Sequence, residues 1–194
     1  GILAADSGSV RFEGSRITGM MPHRLTRLGI GRTFQITRAL GEMTVLENMV
    51  VGSPARGWRA AFGSKMLDHE VRRAMDLLDF VGIAKLAREP ANTLSYGQRK
   101  LLEFASVLMS EPRLVMLDEP AGGVNPTLLE RIVDRIRRLN SEGMTFLIVE
   151  HNMDLVMSLS DTIVVMAHGE VLTHGTPEQV QRDGRVLDAY LGRA

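Results

Sequence analysis

Two adjacent carboxylates follow a short apolar stretch in the second half of the chain. The stretch Leu114–Leu117 contains only apolar residues, begins shortly after Pro112 and leads directly into Asp118 and Glu119. Such a run is typical of a strand buried in a parallel sheet, and ligands bind these sheets at the carboxyl ends of the strands. One carboxylate could hold Mg²⁺ while the next deprotonates an attacking water. Acids that simply end a strand are also common, and the pair alone does not decide between the two explanations.

A second candidate site precedes an apolar helix. Ser95 and Gly97 stand just before residues that recur at helical spacing, namely Leu101, Leu102, Ala105, Leu108 and Met109. A hydroxyl, free backbone N–H groups and the positive end of the helix dipole together favour a phosphate. Taken alone, however, a Ser-x-Gly at this position is better explained by capping of the helix by Ser95.

The order of these motifs carries a family resemblance. Ser95–Gln98 followed by Leu117–Pro120 resembles the signature and Walker B motifs of ATP-binding-cassette (ABC) ATPases. Gln35 resembles the Q-loop glutamine, Ala121–Pro126 the D-loop, and His151 the switch histidine that follows a strand. Several motifs in the family's order make coincidence remote, and the resemblance extends over essentially the whole chain.

The resemblance implies catalytic and metal-binding roles for four residues. Asp118 would contact Mg²⁺ through water, and Glu119 would be the general base for ATP hydrolysis. His151 would contact the γ-phosphate, and Gln35 would contact Mg²⁺ and the attacking water. Without the motif order, His151 would be no more than a histidine after a strand.

The resemblance also implies residues that act across a dimer. Ser95, Gly97 and Gln98 would form the ATP-binding signature, with Ser95 and Gly97 on the γ-phosphate of ATP held by the other subunit. Asn125 would lie at the subunit interface, where many family members carry Asp. Tyr96 replaces the commoner glycine of the signature and is interpreted as a subfamily mark.

The chain alternates strands and helices in its second half. The strand candidates Leu114–Leu117, Thr145–Val149 and Thr162–Met166 are separated by helical patterns, which predicts βαβ units and one shared, mostly parallel sheet. With the resemblance, the expected fold is α/β, a RecA-like P-loop NTPase core with an α-helical subdomain. Residues 1–35 and 111–194 would form the core, and 36–110 the helical subdomain with the signature.

The phosphate-binding P-loop, Gly-x-x-x-x-Gly-Lys-Ser/Thr, is absent from the sequence. None of Lys65, Lys85 and Lys100 follows a glycine or precedes a serine or threonine. In the family this loop lies N-terminal to a segment resembling Gly1–Gly14, so the resemblance places the first strands and the P-loop upstream of Gly1. We therefore expect the sequence to be truncated at its N-terminus and this chain alone to be inactive.

Composition excludes several classes of function. Hydrophobic residues make up 44% and charged residues 24%, with a formal net charge of +0 and no cysteine. The balanced charge gives no general attraction to nucleic acid, and the absence of cysteine excludes disulfides. No apolar run is long enough to cross a bilayer. A chromosome- or repair-type ABC ATPase is disfavoured because no long heptad coiled coil interrupts the chain.

Four segments indicate a subfamily. Gly31–Gln35, Met43–Asn48, Leu94–Gln98 and Val186–Gly192 resemble the ATP-binding subunits of branched-chain amino acid importers. The lipopolysaccharide-export ATPase has similar segments and is the alternative, as is a catalytically silent subunit without a P-loop. The resemblance implies ATP and Mg²⁺ as cofactors, a second ABC ATPase subunit (identical or homologous), two integral membrane permease subunits and, indirectly, a substrate-binding protein. The expected location is cytoplasmic, on the inner face of the cell membrane.

Apolar residues near the Q-loop are candidates for contact with a permease subunit. Met43, Val45, Leu46 and Met49 offer more apolar surface than one helix face can bury, next to Ile36–Leu40. We expect Val45 and Leu46 to pack inside the subdomain. Met43 and Met49 are the better candidates for the partner surface because flexible thioethers suit a contact that must adapt.

Overall fold

The computed structural model describes residues 3–33, 39–53 and 67–186, arranged as two compact units, 1–149 and 150–194. In the described part of the first unit, four α-helices precede the central strand and one follows it. Its elements are β1 (Arg11–Phe12), β2 (Ser15–Arg16), α1 (Pro22–Arg27), β3 (Ile30–Arg32), α2 (Val45–Val51), α3 (Asp68–Val81), α4 (Tyr96–Leu108), β4 (Leu114–Asp118), α5 (Pro126–Ser141) and β5 (Thr145–Val149). The second unit contains α6 (Met153–Leu159), β6 (Ile163–Ala167), β7 (Glu170–Gly175) and α7 (Pro177–Gln181).

A parallel sheet of order β3-β4-β5 forms the centre of the first unit. Its register aligns Ile30 with Leu114 and Leu114 with Thr145. Helix α4 lies close to β3 because Gly31 has no side chain: a Cβ there would lie 2.5 Å from a methyl group of Val107. The sheet confirms the prediction that Leu114–Leu117 and Thr145–Val149 are parallel neighbours, and it brings the carboxyl end of β4 beside α4.

The strand β5 is less buried than its sequence predicts. The mostly apolar sequence of Thr145–Val149 predicts a buried strand. In the structure, however, Leu147 and Val149 are 53% and 60% exposed. The reason is the face to which they point: Leu147 and Val149 pair in register with Met116 and Asp118, which are also incompletely buried, so this face of the sheet is poorly covered in the described residues. Even in β4 only Val115 and Leu117 are fully buried. The prediction of a buried strand is therefore wrong for β5.

The helices α2, α3 and α4 pack on one another and bury their apolar faces. Met49 and Val45 are completely buried in this cluster, together with Leu78 and Leu102. The hypothesis that Met49 contacts a partner is consequently wrong, because its thioether fills the interior of the unit. Met43 is only partly buried and remains a candidate, whereas residues 36–38 of the predicted groove lie outside the described residues.

Local capping fixes where these helices begin. The Thr44 hydroxyl accepts the N–H of Glu47, and the Glu47 carboxylate accepts the N–H of Thr44, so the two residues form a reciprocal capping box at the start of α2. Hydrogen bonding from the backbone and hydroxyl of Thr44 holds the pKa of Glu47 below its usual value. At the C-terminal end of α3, Gly82 ends the helix in the left-handed conformation with φ of 82°.

The second unit is built on an antiparallel pair of strands. β6 and β7 are joined by a tight turn at His168 and Gly169, both with positive φ. Apolar residues Ile163, Val180 and Val186 form its core. Thr176 caps α7 in a capping box with Gln179, as the sequence predicts. The prediction that Thr162–Met166 shares a sheet with β4 and β5 is wrong, because in the described residues this segment pairs with β7 through a short, entropically inexpensive turn.

A search of the described residues found no helix with the length and apolar character needed to span a membrane.

Candidate functional site

Asp118 is the last residue of β4 and is held by two neighbours on and after β3. Its backbone N–H donates to the Thr33 hydroxyl at 3.4 Å. Arg32 donates to its carboxylate, with Nη2 3.3 Å from Oδ2. The two side chains remain 45% and 32% exposed for Arg32 and Asp118, so water screens this ion pair and it stabilises the fold little. Its effect is to orient the carboxylate at the open end of the sheet.

Glu119 follows directly and has an unusual backbone. Its φ is 47°, in the left-handed region, which costs a non-glycine residue roughly 1–2 kcal/mol. Three hydrogen bonds hold it there. Its N–H donates to the carbonyl of Val149 at 2.9 Å, and its carbonyl accepts from Lys100 Nζ at 2.9 Å and from the Gly122 N–H at 3.0 Å. Strained residues that their surroundings fix in this way concentrate at functional sites.

Ser95 begins α4 as its N-cap. Its hydroxyl accepts the N–H of Gln98 at 3.3 Å, and the Gln98 side chain accepts the N–H of Ser95 at 2.8 Å. Helix capping, the simpler explanation of this serine, is therefore present. A serine hydroxyl that accepts one bond still has a proton to donate, and Ser95 is exposed. Capping and phosphate binding are compatible, and the phosphate role stays a prediction.

Gly97 has a packing reason of its own. A Cβ at this position would lie 2.4 Å from Leu128 Cδ2, so a larger residue would require the Leu128 side chain to move from the first turn of α4. The start of α5 is fixed by Asn125, whose side chain accepts the N–H of Leu128 at 2.8 Å. This explains both residues locally, while the role of Asn125 at a subunit interface stays a prediction.

The first turn of α4 also contacts the loop that follows β4. The Tyr96 hydroxyl donates to the carbonyl of Gly122 at 3.3 Å, and a Cβ on Gly123 would lie 2.8 Å from the Tyr96 ring. The Lys100 ammonium lies 5.6 Å from the centre of the same ring. The structure thus joins the signature and Walker B segments within this unit. A cleft beside them is lined by Thr33, Lys100, Glu103, Phe104, Leu117, Asp118, Pro120 and Ile132.

The two remaining predicted site residues are His151 and Gln35. His151 belongs to the second unit, where its side chain is 78% exposed and its backbone N–H donates to the Glu150 carboxylate at 3.0 Å. Gln35 lies outside the described residues. The predictions that these side chains join the site therefore stay predictions.

The donor chemistry suits Mg²⁺ bound together with a nucleotide. Within the described ranges there is no group of three or more His, Cys, Asp or Glu side chains able to hold a metal by themselves. Mg²⁺ retains several waters and commonly uses one or two carboxylates plus substrate phosphates. Asp118, partly exposed at the edge of the cleft, fits that requirement.

Sequence reasoning did not assign site roles to Arg32 and Lys100. Lys100 is 8% exposed despite its charge, and its spacing in the sequence indicates this burial. It lies four residues after Tyr96 and four before the buried Phe104, so it belongs to the inward face of α4. No comparable pattern marks Arg32, whose contact with Asp118 depends on the pairing of two strands distant in sequence.

Comparison with known sequences gives a consistent family assignment. The profile of the ABC transporter family matches residues 1–122, and that of the branched-chain amino acid ATP-binding cassette transporter matches 170–194. The probable branched-chain amino acid transport ATP-binding protein LivG of Archaeoglobus fulgidus is 41% identical over 99% of this chain and 77% of its own length. The high-affinity protein BraF of Pseudomonas aeruginosa is 39% identical over 100% of this chain and 80% of its own.

Solved structures similar to this chain support the same family assignment. The ADP conformation of an ATP-binding cassette of an ABC transporter superposes with a TM-score of 0.85 at 36% identity, covering 99% of this chain and 80% of that one. A nucleotide-free ATP-binding cassette from an ABC transporter also gives a TM-score of 0.85. These matches confirm the predicted α/β NTPase fold.

Proposed function

The chain belongs to the ABC transporter family, and from this membership we propose that the protein as its gene encodes it binds and hydrolyses Mg-ATP to drive import of branched-chain amino acids. The names of its relatives and the match of residues 170–194 support that substrate class. The observation that carries the catalytic part is the backbone of Glu119, fixed by three hydrogen bonds at the end of β4.

In the proposed reaction Glu119 is the general base. A water oxygen forms a bond to the γ-phosphorus of ATP while the bond from that phosphorus to the bridging oxygen breaks, which leaves ADP and inorganic phosphate. The proton of the attacking water passes to the Glu119 carboxylate. A base must be held within hydrogen-bonding reach of the proton that it removes, and the rigid backbone at Glu119 supports this role.

Asp118 and Gln35 are proposed to hold Mg²⁺, with Asp118 acting through water. When bound, the ion offsets negative charge on the transferred phosphoryl group. The contribution of this chain is orientation: Thr33 fixes the Asp118 backbone and Arg32 fixes its carboxylate. The partial exposure of Asp118 supports access by a hydrated ion.

Ser95, Gly97 and Gln98 are proposed to bind the ATP held by a second ABC ATPase subunit, identical or homologous. Support comes from the exposure of Ser95 and the partial exposure of Gly97 and Gln98 at the start of α4. This helix has 13 residues, and its N-terminal N–H groups favour an anion. Asn125 is proposed to lie at the same interface, and His151 to contact the γ-phosphate. Both roles follow from the family motifs.

The proposed complex includes two integral membrane permease subunits and, indirectly, a substrate-binding protein. The ATPase subunits would lie on the cytoplasmic face of the cell membrane. Partly buried Met43 is the remaining candidate for contact with a permease.

Reconstitution tests the proposal. The protein as its gene encodes it is assembled with its permeases in proteoliposomes, and Mg-ATP hydrolysis and leucine uptake are measured together. Glu119→Gln keeps the shape of the side chain but removes the base, so both rates should fall by about 10²–10⁴-fold while ATP binding survives. Glu142→Gln, at an exposed carboxylate at the end of α5, is the matched control and should retain the wild-type rates.

Two results would contradict the proposal. Unchanged turnover in Glu119→Gln would show that another group is the base. Normal ATP hydrolysis without uptake of leucine, isoleucine or valine would refute the substrate class and leave the catalytic assignment intact.

A further inference from the structure

A buried lysine connects the signature helix to the backbone of Glu119. Lys100 lies in the second turn of α4 and is 8% exposed. Its Nζ donates to the Glu119 carbonyl at 2.9 Å. A buried ammonium requires polar partners because its desolvation is costly. The partner here is the carbonyl of the very residue proposed to be the general base.

Tyr96, one turn earlier on α4, acts on the same loop. Its hydroxyl donates to the Gly122 carbonyl at 3.3 Å, and its ring lies beside Gly123 and 5.6 Å from the Lys100 ammonium. That distance is within the range of a cation–π contact. The two side chains therefore attach one face of α4 to both ends of the short turn Glu119–Gly123.

We propose that Lys100, supported by Tyr96, is a positioning residue that sets the direction of the Glu119 side chain. Glu119 has a left-handed backbone with φ of 47°, a conformation that a non-glycine residue leaves readily unless it is restrained. Removal of the ammonium takes away one of the two hydrogen bonds described on its carbonyl and leaves the one from the Gly122 N–H. Rotation of this peptide would swing the carboxylate away from the attacking water. This inference rests on the proposed role of Glu119.

The test uses the protein as its gene encodes it, assembled with its permeases. Lys100→Met keeps the length of the side chain but removes its donors. A displacement of the order of 1 Å at a reacting group costs up to about 100-fold in rate, and we expect kcat to fall about tenfold with the KM for ATP within about twofold of wild type. Lys100→Arg retains the charge and the N–H donors at the lining of the cleft. It should recover kcat to within about threefold of wild type.

Controls separate positioning from folding. Lys85→Met makes the same change at an exposed lysine and should leave kcat unchanged. All assays are run well below the unfolding midpoint of each variant. If Lys100→Met fails to fold, Tyr96→Phe tests the inference instead, because it removes only a hydroxyl from a 40% exposed residue. This variant should lower kcat measurably without changing the unfolding midpoint.

Several outcomes would overturn the inference. A folded Lys100→Met with wild-type kcat would do so, as would a loss of kcat that Lys100→Arg does not recover, which would assign Lys100 to packing alone. Wild-type kcat in Tyr96→Phe would overturn the supporting role of Tyr96 and, where Lys100→Met is unfolded, the inference itself. Glu119→Gln is measured in parallel. If Glu119→Gln keeps full turnover, the proposed role of Glu119 as the base fails. If Glu119→Gln is inactive while Lys100→Met keeps the wild-type kcat, only the positioning role of Lys100 is refuted.

Discussion

Substitution of Gly123 by alanine should be costly for two separable reasons. Gly123 has φ of 69°, and an alanine in this left-handed conformation costs roughly 1–2 kcal/mol. Its Cβ would also lie 2.8 Å from Tyr96 Cε1, well inside the optimal carbon–carbon separation of about 3.5–4.0 Å. The ring cannot easily withdraw because its hydroxyl bonds to Gly122. Overpacking of this kind costs about 1–3 kcal/mol.

The two contributions add to about 2–5 kcal/mol of lost unfolding free energy. For a chain of this size that corresponds to a fall of about 4–20 °C in the unfolding midpoint. Urea unfolding of the protein as its gene encodes it measures the change directly. Gly82→Ala is the matched control, because Gly82 has φ of 82° but nothing within 4 Å of a Cβ. It should cost only the backbone contribution, about 1–2 kcal/mol.

A double-mutant cycle isolates the contact with the ring. In a Tyr96→Ala background the clash is gone, so Gly123→Ala should cost no more than Gly82→Ala does. The coupling between the two positions should then be about 1–3 kcal/mol. Equal costs at Gly123 and Gly82 in the wild-type background, or no coupling to Tyr96, would refute the packing of Tyr96 against this turn.

Three further predictions concern the metal, the chain by itself and pH. Asp118→Asn should weaken Mg²⁺-dependent ATP binding by at least about tenfold while Mg²⁺-independent binding persists; calorimetry with and without Mg²⁺ checks this, and equal affinities would contradict it. These 194 residues by themselves should hydrolyse no ATP and bind it weakly; micromolar Mg-ATP affinity in calorimetry would refute this. The folded-state pKa of Glu47 is lowered by Thr44, so the stability that the carboxylate contributes is present above its unfolded pKa of about 4.3 and is lost as pH falls through the folded value. Glu47→Gln should accordingly lose more stability at pH about 6 than at pH about 3, and a pH-independent difference would rule this out.

The sequence allows prediction of local structure where the signal is local. Two short polar segments flanking Glu13-Gly14 predict a hairpin, Thr176 with Gln179 three residues later predicts a capping box, and the apolar run Leu114–Leu117 predicts a strand. The structure has all three at these positions. Apolar periodicity also predicts α3 and α5 correctly, because a helix buries one face whatever its neighbours are.

Features that depend on distant strands could not be predicted in this way. Burial of Thr145–Val149 depends on which distant elements cover each face of the sheet, and an apolar run has the same composition whether or not its face is covered. Thr162–Met166 pairs with β7. The spacing of its apolar residues likewise does not indicate which strand it pairs with. At the site, the carboxylates and the signature were recognisable from motif order, whereas the bridges from Arg32 and Lys100 are tertiary contacts.

The open side of β5 has a consequence for handling the molecule. In the part of the chain that the structure describes, β5 is an edge strand, which exposes backbone N–H and C=O groups that can pair with another chain. Leu147 and Val149, 53% and 60% exposed, add apolar side chains on one face of this strand. Solutions of these 194 residues should therefore aggregate. Light scattering should rise with protein concentration and should depend strongly on how fast denaturant is removed during refolding. A charged residue in place of the 60% exposed Val149 would act as a gatekeeper against such strand-to-strand growth.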